Sequence, residues 1–567
     1  MSELKKNDAI DVEISGNVQL NQVGYRPNDR KTATFRIGDT MSVSDFCNSN
    51  GKISDEFKVV KADTGEVVYT GKMSDITSSD FNGEVNAVAD FTSVKEPGKY
   101  RVVSDDNGSS YEFTIEDDVY NDLFVSSMRM FYLQRCGVEL PEDLAGKYAH
   151  KACHNSLARV YGTDKMIDVS GAWHDAGDYG RYIVAAAKAV VDLLMAYEYF
   201  PETMETSFNI PESGNGIPDI IDEVKFELDW MLKMQDEESG GVYHKVTCKT
   251  FPGFVMPEYE TDELVVSPIS DTATCDFAAT MAYAYRVFSK LPDKYGNDAK
   301  LYADAADKYL AAANKAMGFL ENNRAGEFKN PSDIVTGEYG DSRTIDEFFW
   351  AYAEMYKTTG DKKYEDALKK INIDDVPGEF GWKEVGDYGF YAYITSPWDR
   401  DEDLYKKCYE RLEEEAIEKL EKYNTDPYGG SIYGYYYWGC NMEVANNAIR
   451  GIILDKLSGT NKYEEMAKAQ LSYILGNNPS AKCFVTGFGS DSPKNPHHRP
   501  SVANKEAMPG MLVGGPEPLL LDDVTKKQLK GYPPAKCYLD DTDSYSTNEI
   551  TIYWNSPLVF LIAYCMQ

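Results

Sequence analysis

The spacing of apolar residues changes once along the chain, and this change divides the sequence into two parts. Between Val18 and Thr114, short alternating runs are separated by turn residues such as Asp63-Thr-Gly65 and Glu96-Pro-Gly98, a pattern typical of a β-sandwich. After Glu116 the apolar residues recur at helical spacing. A chain of 567 residues is long enough for two domains. We therefore expect a small all-β domain followed by a large all-α domain.

The predicted elements follow these two patterns. Strands are predicted at residues 32–37, 57–60, 67–69 and 100–103. Helices are predicted at 120–134, 182–198, 219–235, 272–289, 296–320, 344–359, 361–371, 401–423, 441–457 and 461–476, a part in which strand signals are nearly absent. Long loops follow at 236–271, 424–440 and 478–548. Because loops of that length in a compact domain are usually functional, we expect the site on the loop side. The predicted segments are 1–17 (a flexible N-terminus), 18–116 and 117–567.

Composition excludes several classes of protein. The formal net charge of −35 repels polyanions, which disfavours nucleic acid and anionic polysaccharides as partners. No apolar run reaches the roughly 18 residues of a membrane-spanning helix, so no membrane partner is expected. The N-terminus lacks the apolar stretch of a secretory signal, which favours the cytoplasm. The alternative is a secreted protein whose signal is absent from this chain. Ten scattered cysteines favour reduced thiols or metal ligands over a disulfide framework.

Two aspartates in a glycine-bounded turn are the first candidates for catalysis. Asp175 and Asp178 lie in Gly171-Ala-Trp-His-Asp-Ala-Gly-Asp-Tyr-Gly180, directly before the apolar run 182–194. Two carboxylates aimed at one spot can hold and deprotonate a water molecule. Hydrolysis of an acetal also needs a proton donor on the other side of the bond. Glu549 is the best candidate for this donor. The alternative is that the aspartates only cap the helix that follows.

Three motifs resemble glycoside hydrolase family 9, and they occur in the order found in that family. The stretch 171–180 resembles its catalytic loop, and Asn495-Pro-His-His-Arg-Pro500 resembles its sugar-binding motif. Asn548-Glu549, followed by Tyr553-Trp-Asn-Ser-Pro-Leu558, resembles its C-terminal acid motif. Gln19-Leu-Asn-Gln-Val-Gly-Tyr25 is similar to the start of the immunoglobulin-like module found in one branch of the family. The members most similar to this chain degrade cellulose and cellodextrins.

The resemblance implies a fold and a set of roles. It implies an N-terminal immunoglobulin-like β-sandwich and a catalytic (α/α)6 barrel. It implies an inverting mechanism with Glu549 as general acid, Asp178 as general base and Asp175 orienting the water molecule. Substrate contacts are predicted for Trp438, His497, Arg499 and Tyr545. For the sugar-binding motif the alternative is a solvated basic loop, and for Trp438 it is a core position.

Two metal sites are also predicted. Two thiols and two imidazoles have the composition of a closed structural zinc site, and the resemblance implies zinc at Cys136, Cys153, His154 and His174. The alternative is two buried thiols and a capping histidine. The family's calcium pattern Ser-x-x-x-Asp-Glu implies calcium ligands at Ser342, Arg343 (through its carbonyl), Asp346, Glu347 and Glu384. Glu384 stands where the family usually has Asp. The alternative is a helix N-terminus whose acidic residues complement the dipole.

The predicted activity is inverting hydrolysis of β-1,4-glucosidic bonds in cellulose-derived glucans, as an endoglucanase or cellodextrinase. No organic cofactor, dockerin or separate carbohydrate-binding module is expected. One alternative is an exo-acting enzyme of the same family on cello- or glucosamine oligosaccharides, and the other is a glycan-binding protein without activity. Loops 245–270 and 500–540 are expected to decide between endo and exo action, and the sandwich is expected to have a packing role.

Overall fold

The structure is a computed structural model that describes residues 13–39, 55–74 and 76–567. Most of the predicted flexible N-terminus, residues 1–12, lies outside the described residues. Within the described residues, the first part contains ten strands, which are β1 Val18–Gln19, β2 Gly24–Tyr25, β3 Thr32–Asp39, β4 Glu56–Lys61, β5 Val67–Lys72, β6 Thr77–Ser79, β7 Glu84–Asp90, β8 Gly98–Ser104, β9 Gly108–Ser109 and β10 Phe113–Ile115.

These strands form two sheets that enclose one apolar core. One sheet has the order β1-β3-β7-β6, and the other has the order β2-β10-β8-β4-β5 with β9 paired to β8. The alternation of β3 and β7 places Phe35 and Ala89 inward, where they meet Phe57, Val59 and Phe113 of the facing sheet. The predicted sandwich is confirmed.

The second part is helical. Its helices are α1 Asn121–Leu133, α2 Glu142–Ala145, α3 Ile183–Tyr199, α4 Asp219–Lys233, α5 Asp271–Phe288, α6 Leu291–Tyr295, α7 Lys300–Asn322, α8 Ile345–Thr359, α9 Lys362–Leu368, α10 Gly386–Ile394, α11 Glu402–Thr425, α12 Cys440–Ser458, α13 Glu464–Ile474, α14 Arg499–Asn504, α15 Asp523–Gln528, α16 Tyr545–Asn548 and α17 Ile552–Cys565. Within the described residues, none of the helices combines the length and apolar character needed to cross a bilayer.

Six of these helices form an inner ring. Neighbouring contacts run from α17 to α3, α5, α8 and α10, and from α12 back to α17. The remaining gap between α10 and α12 is bridged by the buried ion pair of Asp387 and Arg450. Helices α1, α4, α7, α9, α11 and α13 pack outside this ring. The arrangement is the predicted (α/α)6 barrel.

Three features of the barrel differ from the prediction. The inner-ring helix α10 was not predicted, because it is short and buried on every face and so shows no helical period. The helix α17 was not predicted, because it is apolar on every face and therefore lacks a helical period. A third sheet, in the order β12-β11-β15-β14-β13, was also missed. Its strands are only two or three residues long and give no readable alternation. They are β11 Ala158–Val160, β12 Met166–Ile167, β13 Arg181–Tyr182, β14 Lys245–Thr247 and β15 Val265–Val266.

The sandwich is joined to the barrel through buried polar contacts. Glu84, at the start of β7, is fully buried and accepts a hydrogen bond from Tyr428 of the barrel. It also forms ion pairs with Arg36 of the sandwich and Lys536 of the barrel. Because an unpaired buried carboxylate is costly, these contacts fix the orientation of the two parts. We propose that the domain boundary lies between residues 116 and 117, in the segment that separates β10 from α1.

Candidate active site

The predicted catalytic residues lie at the N-terminal ends of inner-ring helices. Asp175 and Asp178 precede α3, Glu549 precedes α17, and Trp438 precedes α12. Because the positive end of a helix dipole favours negative charge, this end of the barrel suits a group of carboxylates. The barrel thus gathers, on one face, residues that are some 370 positions apart in the sequence.

The turn that carries the two aspartates is held on both sides by backbone hydrogen bonds. His174 N donates to Gln134 O of the first helical hairpin, and Asp175 N donates to Gly180 O across the turn. At Gly177 a Cβ atom would lie 2.1 Å from His497 O. Only glycine allows this close approach, which brings the turn against the sugar-binding motif.

The segment around Glu549 is tied to the same two elements. His497 pairs with Glu549 in a parallel β-bridge, and His497 N donates to Asn548 O. Glu549 O accepts from Gly514 N, and Ile552 N donates to Asp175 O at 2.8 Å. These backbone contacts place the three motifs of the sequence in one site, with the carboxyls of Asp175, Asp178 and Glu549 near one another.

The carboxyls of Glu549 and Asp178 have different surroundings. Burial, followed by the charges of Asp178 and Asp175, raises the pKa of Glu549 well above its ordinary value. A raised pKa favours the protonated form, which is the state of a proton donor. Asp178 Oδ2 accepts hydrogen bonds from Gly180 N at 3.1 Å and from the Tyr182 hydroxyl at 3.3 Å. These two donors fix the position of the Asp178 carboxyl.

Asp175 is buried and held by a tyrosine that the sequence reasoning missed. The Tyr339 hydroxyl donates to Asp175 Oδ2 at 2.6 Å, while Oδ1 has no hydrogen-bond partner. Burial and the charge of Asp178 raise the pKa of Asp175, and the Tyr339 hydrogen bond lowers it. Tyr339 lies just before α8, in a segment without a recognised motif. Only its position before an inner-ring helix could have indicated it.

A buried lysine was also missed. Lys245 Nζ donates to Gly337 O and to the Thr336 hydroxyl, and it lies 5.5 Å from the centre of the Tyr182 ring. Burial lowers the pKa of Lys245 to about 7, and the charge of Asp178 opposes this shift. Lys245 is therefore a titratable group whose charge interacts with that of Asp178.

A row of rings lies beside Glu549. The ring centroids of Trp438 and Tyr545 are 5.4 Å apart, those of Tyr545 and His497 are 6.2 Å apart, and those of His497 and Phe254 are 5.5 Å apart. We call Phe254, His497, Tyr545 and Trp438 the aromatic row. Trp438 is 41% exposed, so it does not fill the barrel core. Exposed rings in a row suit the apolar faces of sugars.

The three residues 497–499 of the predicted sugar-binding motif contact different parts of the site. His497 Nδ1 donates to Thr542 O at 2.6 Å, and burial lowers the pKa of the ring. In the neutral ring Nε2 is then an acceptor for a sugar hydroxyl. Arg499 is buried, and its guanidinium donates to Gly177 O at 2.7 Å and to Pro252 O. It holds the catalytic turn against the loop at 252. His498 faces the protein and contacts Gln134 Oε1 at 3.0 Å.

The four predicted zinc ligands meet in one place. The ligand atoms of Cys136, Cys153, His154 and His174 are buried and lie within 4.8 Å of one another. Among the described residues this is the group of His, Cys, Asp and Glu that could hold a metal ion in this way. Two thiolates and two imidazoles in a closed, buried set fit zinc. His174 is adjacent to Asp175, so an ion here would restrain the catalytic turn.

A carboxylate outside this group contacts one of its histidines. Glu260 Oε2 lies 2.8 Å from His154 Nε2, which leaves His154 Nδ1 to face the group, 3.4 Å from His174 Nε2. Glu260 belongs to the loop before β15, whose Val255 carbonyl accepts from the Tyr179 hydroxyl. The loop is thereby connected to both the metal group and the catalytic turn.

The predicted calcium ligands have different environments, some buried and some exposed. Asp346 and Glu347 are buried, and Asp346 Oδ1 and Glu347 Oε2 have no hydrogen-bond partner. Asp346 Oδ2 accepts from Val385 N, next to Glu384. Ser342 and Arg343 are exposed, and Glu384 lies near Lys383 Nζ at 3.5 Å. The sequence reasoning missed Asp276, whose buried carboxylate oxygens both lack partners and whose pKa is raised by burial and by Asp346.

Comparison with known proteins agrees with this arrangement. The model of Glycosyl hydrolase family 9 matches residues 120–562, and the model of the cellulase N-terminal ig-like domain matches residues 13–109. The chain belongs to glycosyl hydrolase family 9. It is therefore a glycoside hydrolase with an N-terminal immunoglobulin-like domain, and the alternative of a glycan-binding protein without activity is set aside.

Individual relatives match this chain along nearly its whole length. The chain is 35% identical to Endoglucanase D of Acetivibrio thermocellus, over 97% of this chain and 83% of that protein. It is also 35% identical to the Cellodextrinase of Butyrivibrio fibrisolvens, over 96% of this chain and 99% of that protein. The solved structure of AaCel9A in complex with cellobiose-like isofagomine has a TM-score of 0.88 at 34% identity, over 97% of this chain and 99% of that one.

Tyr339→Phe tests the hydrogen bond to Asp175. Because this hydrogen bond lowers the pKa of Asp175, its loss raises that pKa. The acid limb of the kcat/KM profile then moves to higher pH, since Asp175 must be ionised to accept from a water molecule. We expect kcat to fall about tenfold, the size of one hydrogen bond to a charged group. Tyr161→Phe, which removes a surface hydroxyl bonded to Asp333, is the control. An unmoved acid limb would contradict this role.

Glu260→Ala tests the contact to His154. A carboxylate that accepts from a metal-ligating histidine orients the ring, and its removal weakens metal binding by about 10- to 100-fold. We expect this loss for Zn²⁺ in competition with a chromophoric chelator, measured on the folded protein. Glu263→Ala is the matched control, because Glu263 lies in the same loop and pairs with Arg159 at the surface. Equal affinities of the two variants would show that Glu260 does not support the metal group.

Proposed function

We propose that the chain hydrolyses β-1,4-glucosidic bonds with inversion, and that Glu549 is the general acid, Asp178 the general base and Asp175 the residue that orients the water molecule. The observation that carries this proposal is the meeting of three carboxyls at one end of the barrel. Their mutual repulsion and burial raise the pKa of Glu549, while Asp178 receives two hydrogen bonds. One site thus contains a proton donor and a base.

The acid acts on the leaving group. A sugar alkoxide is a poor leaving group, so its oxygen must receive a proton as the glycosidic bond breaks. Glu549 can supply that proton because burial and the aspartates favour its protonated form. As Glu549 loses its proton, Asp178 gains one from the attacking water molecule, so the total charge of the two carboxyls does not change. Gly180 N and the Tyr182 hydroxyl donate to Asp178 and hold its carboxyl in position for this transfer.

The base acts on water. Asp178 takes one proton from a water molecule as its oxygen attacks the anomeric carbon from the face opposite to the leaving group. Asp175 Oδ1 is without a partner and can accept the second hydrogen of that water molecule, while the Tyr339 hydroxyl fixes Oδ2. Because water attacks directly, the configuration at the anomeric carbon inverts, and no glycosyl-enzyme intermediate forms.

The substrate is a neutral β-1,4-glucan. The aromatic row offers exposed ring faces, and His497 Nε2 offers an acceptor for a hydroxyl. A net charge of −35 favours neutral over anionic chains. Proteins similar to this chain are named Endoglucanase D, Cellodextrinase and, at 36% identity, Xyloglucan-specific endo-beta-1,4-glucanase BoGH9A of Bacteroides ovatus. These names support an endo-acting enzyme or cellodextrinase.

The metal in the Cys and His group is proposed to be zinc. A relative of known structure is described as a Zn-binding triple mutant of GH family 9 endoglucanase J30, with a TM-score of 0.86 at 31% identity. Cys136, Cys153, His154 and His174 would hold the ion as a structural crosslink. Calcium is proposed at Asp346 and Glu347, whose buried oxygens without partners suit a hard cation, with Ser342, the Arg343 carbonyl and Glu384 as further ligands.

Glu549→Gln and Asp178→Asn separate the two roles. A dinitrophenolate leaving group needs no proton, so the acid matters little for a dinitrophenyl cellobioside. We expect Glu549→Gln to lower kcat about 10³-fold on cellopentaose and far less on the aryl substrate. We expect Asp178→Asn to lose about 10³-fold on both substrates.

Asp543→Asn is the control, because Asp543 is an exposed carboxylate in the segment before Glu549. It is expected to keep the activity of the wild type. Equal losses for Glu549→Gln on cellopentaose and on the aryl cellobioside would refute Glu549 as the acid. Full activity of Asp178→Asn on both substrates would refute Asp178 as the base.

A further inference from the structure

A phenylalanine of the sandwich reaches the barrel at the end of the segment that leads to Trp438. Phe81 lies in the turn between β6 and β7. The Ser79 hydroxyl oxygen in this turn accepts from Asn82 N at 3.2 Å and from the Tyr433 hydroxyl at 2.8 Å. Ala535 N of the barrel donates to Phe81 O at 3.1 Å. The backbone of the turn is therefore fixed by the barrel.

The side chain of Phe81 is held by the barrel on one side and exposed on the other. Its ring packs edge-on against Tyr433, with 5.2 Å between the centroids and 81° between the planes. A Cβ atom at Gly434 would lie 3.0 Å from Phe81 Cζ, so Gly434 allows a close fit. The ring is nevertheless 40% exposed. Part of the ring face is therefore open to a ligand.

A short segment of chain joins the partner of Phe81 to the aromatic row. Tyr433 and Trp438 are five positions apart, which limits their separation to roughly 18 Å along an extended chain. Tyr435 lies between them and is 51% exposed, and Trp438 is 41% exposed. Tyr532, in the loop that contacts Phe81 through Ala535, is 55% exposed. Exposed aromatic side chains thus occur along the segment and on the loop that together connect Phe81 to Trp438, and exposed aromatic rings are the side chains that stack on sugars.

A second connection links Phe81 to the start of α12 through the two loops on either side of α15. Ala535 contacts Phe81, and two positions later Cys537 O accepts from Glu517 N of the other loop. The neighbouring Pro516 O accepts from the thiol of Cys440, two positions after Trp438. The same pair of loops therefore contacts both Phe81 and the segment that carries Trp438.

We propose that Phe81 supplies a distal sugar contact, so that the immunoglobulin-like domain forms the far end of the substrate cleft. The proposal rests on the proposed function, since the occupant is the β-1,4-glucan that the carboxyls cleave. A chain that stacks on Trp438 and extends past Tyr435 reaches the exposed face of Phe81. Short oligomers do not reach it, and long ones do.

Phe81→Ala tests this contact by its dependence on chain length. We expect kcat/KM to fall about fivefold on hydroxyethyl cellulose and on the longest soluble cellodextrins, the size of one aromatic contact. We expect no change on cellotriose, with the loss appearing in KM and not in kcat. Phe81→Trp keeps a stacking face and is expected to retain activity on long substrates. It also keeps the test valid if the alanine variant does not fold.

Val68→Ala is the matched control, because Val68 is an exposed apolar residue of the same sandwich, at 37% exposure. It is expected to match the wild type on every substrate. An equal loss on cellotriose and on the polymer would refute the proposal, and so would full activity of Phe81→Ala on the polymer. If the wild type cleaves none of these substrates, the proposed function fails instead, and the two failures are distinguishable.

Discussion

The site depends on the repulsion among three carboxyls that are held away from water. Burial and mutual repulsion oppose the ionisation of Asp175 and Glu549. Unless other contacts compensate, this repulsion would separate the segments that carry them. The (α/α)6 barrel holds these segments together through backbone hydrogen bonds, such as the one that Ile552 N donates to Asp175 O. The close approach of Gly177 to His497 O has the same effect. Burial first, and then the charges of the two aspartates, favour the protonated form of Glu549.

Contacts around the three carboxyls restrain the turn that carries Asp175 and Asp178. The sugar contact of Arg499 stays a prediction, and its guanidinium also binds the carbonyls of Gly177 and Pro252 and so restrains the catalytic turn. The Cys and His group lies on the other side of the turn, next to Asp175, and Glu260 connects it to the cleft loop. Arg499 and the Cys and His group thus support the catalytic turn from two sides, while the sandwich reaches the barrel through Phe81, next to the segment that leads to Trp438.

The motifs and the long amphipathic helices were predictable from sequence, because each has a local signal. The sequence places Asp175, Asp178 and Glu549 in recognisable motifs, and a helical period marks the outer helices. Helix α17 lacked that period because every face is buried. Tyr339, Glu260 and Phe81 could not be predicted, since each acquires its role from a contact with a residue at least 100 positions away.

The most direct test of this account is proton NMR of cellopentaose during the first minutes of digestion by the wild type. Direct attack by water held at Asp178 and Asp175 predicts that the new reducing ends appear first as the α-anomer and then equilibrate. Initial β-anomer would mean that a carboxylate attacked the sugar itself, which would contradict the assignment of a base and an acid on opposite faces of the bond.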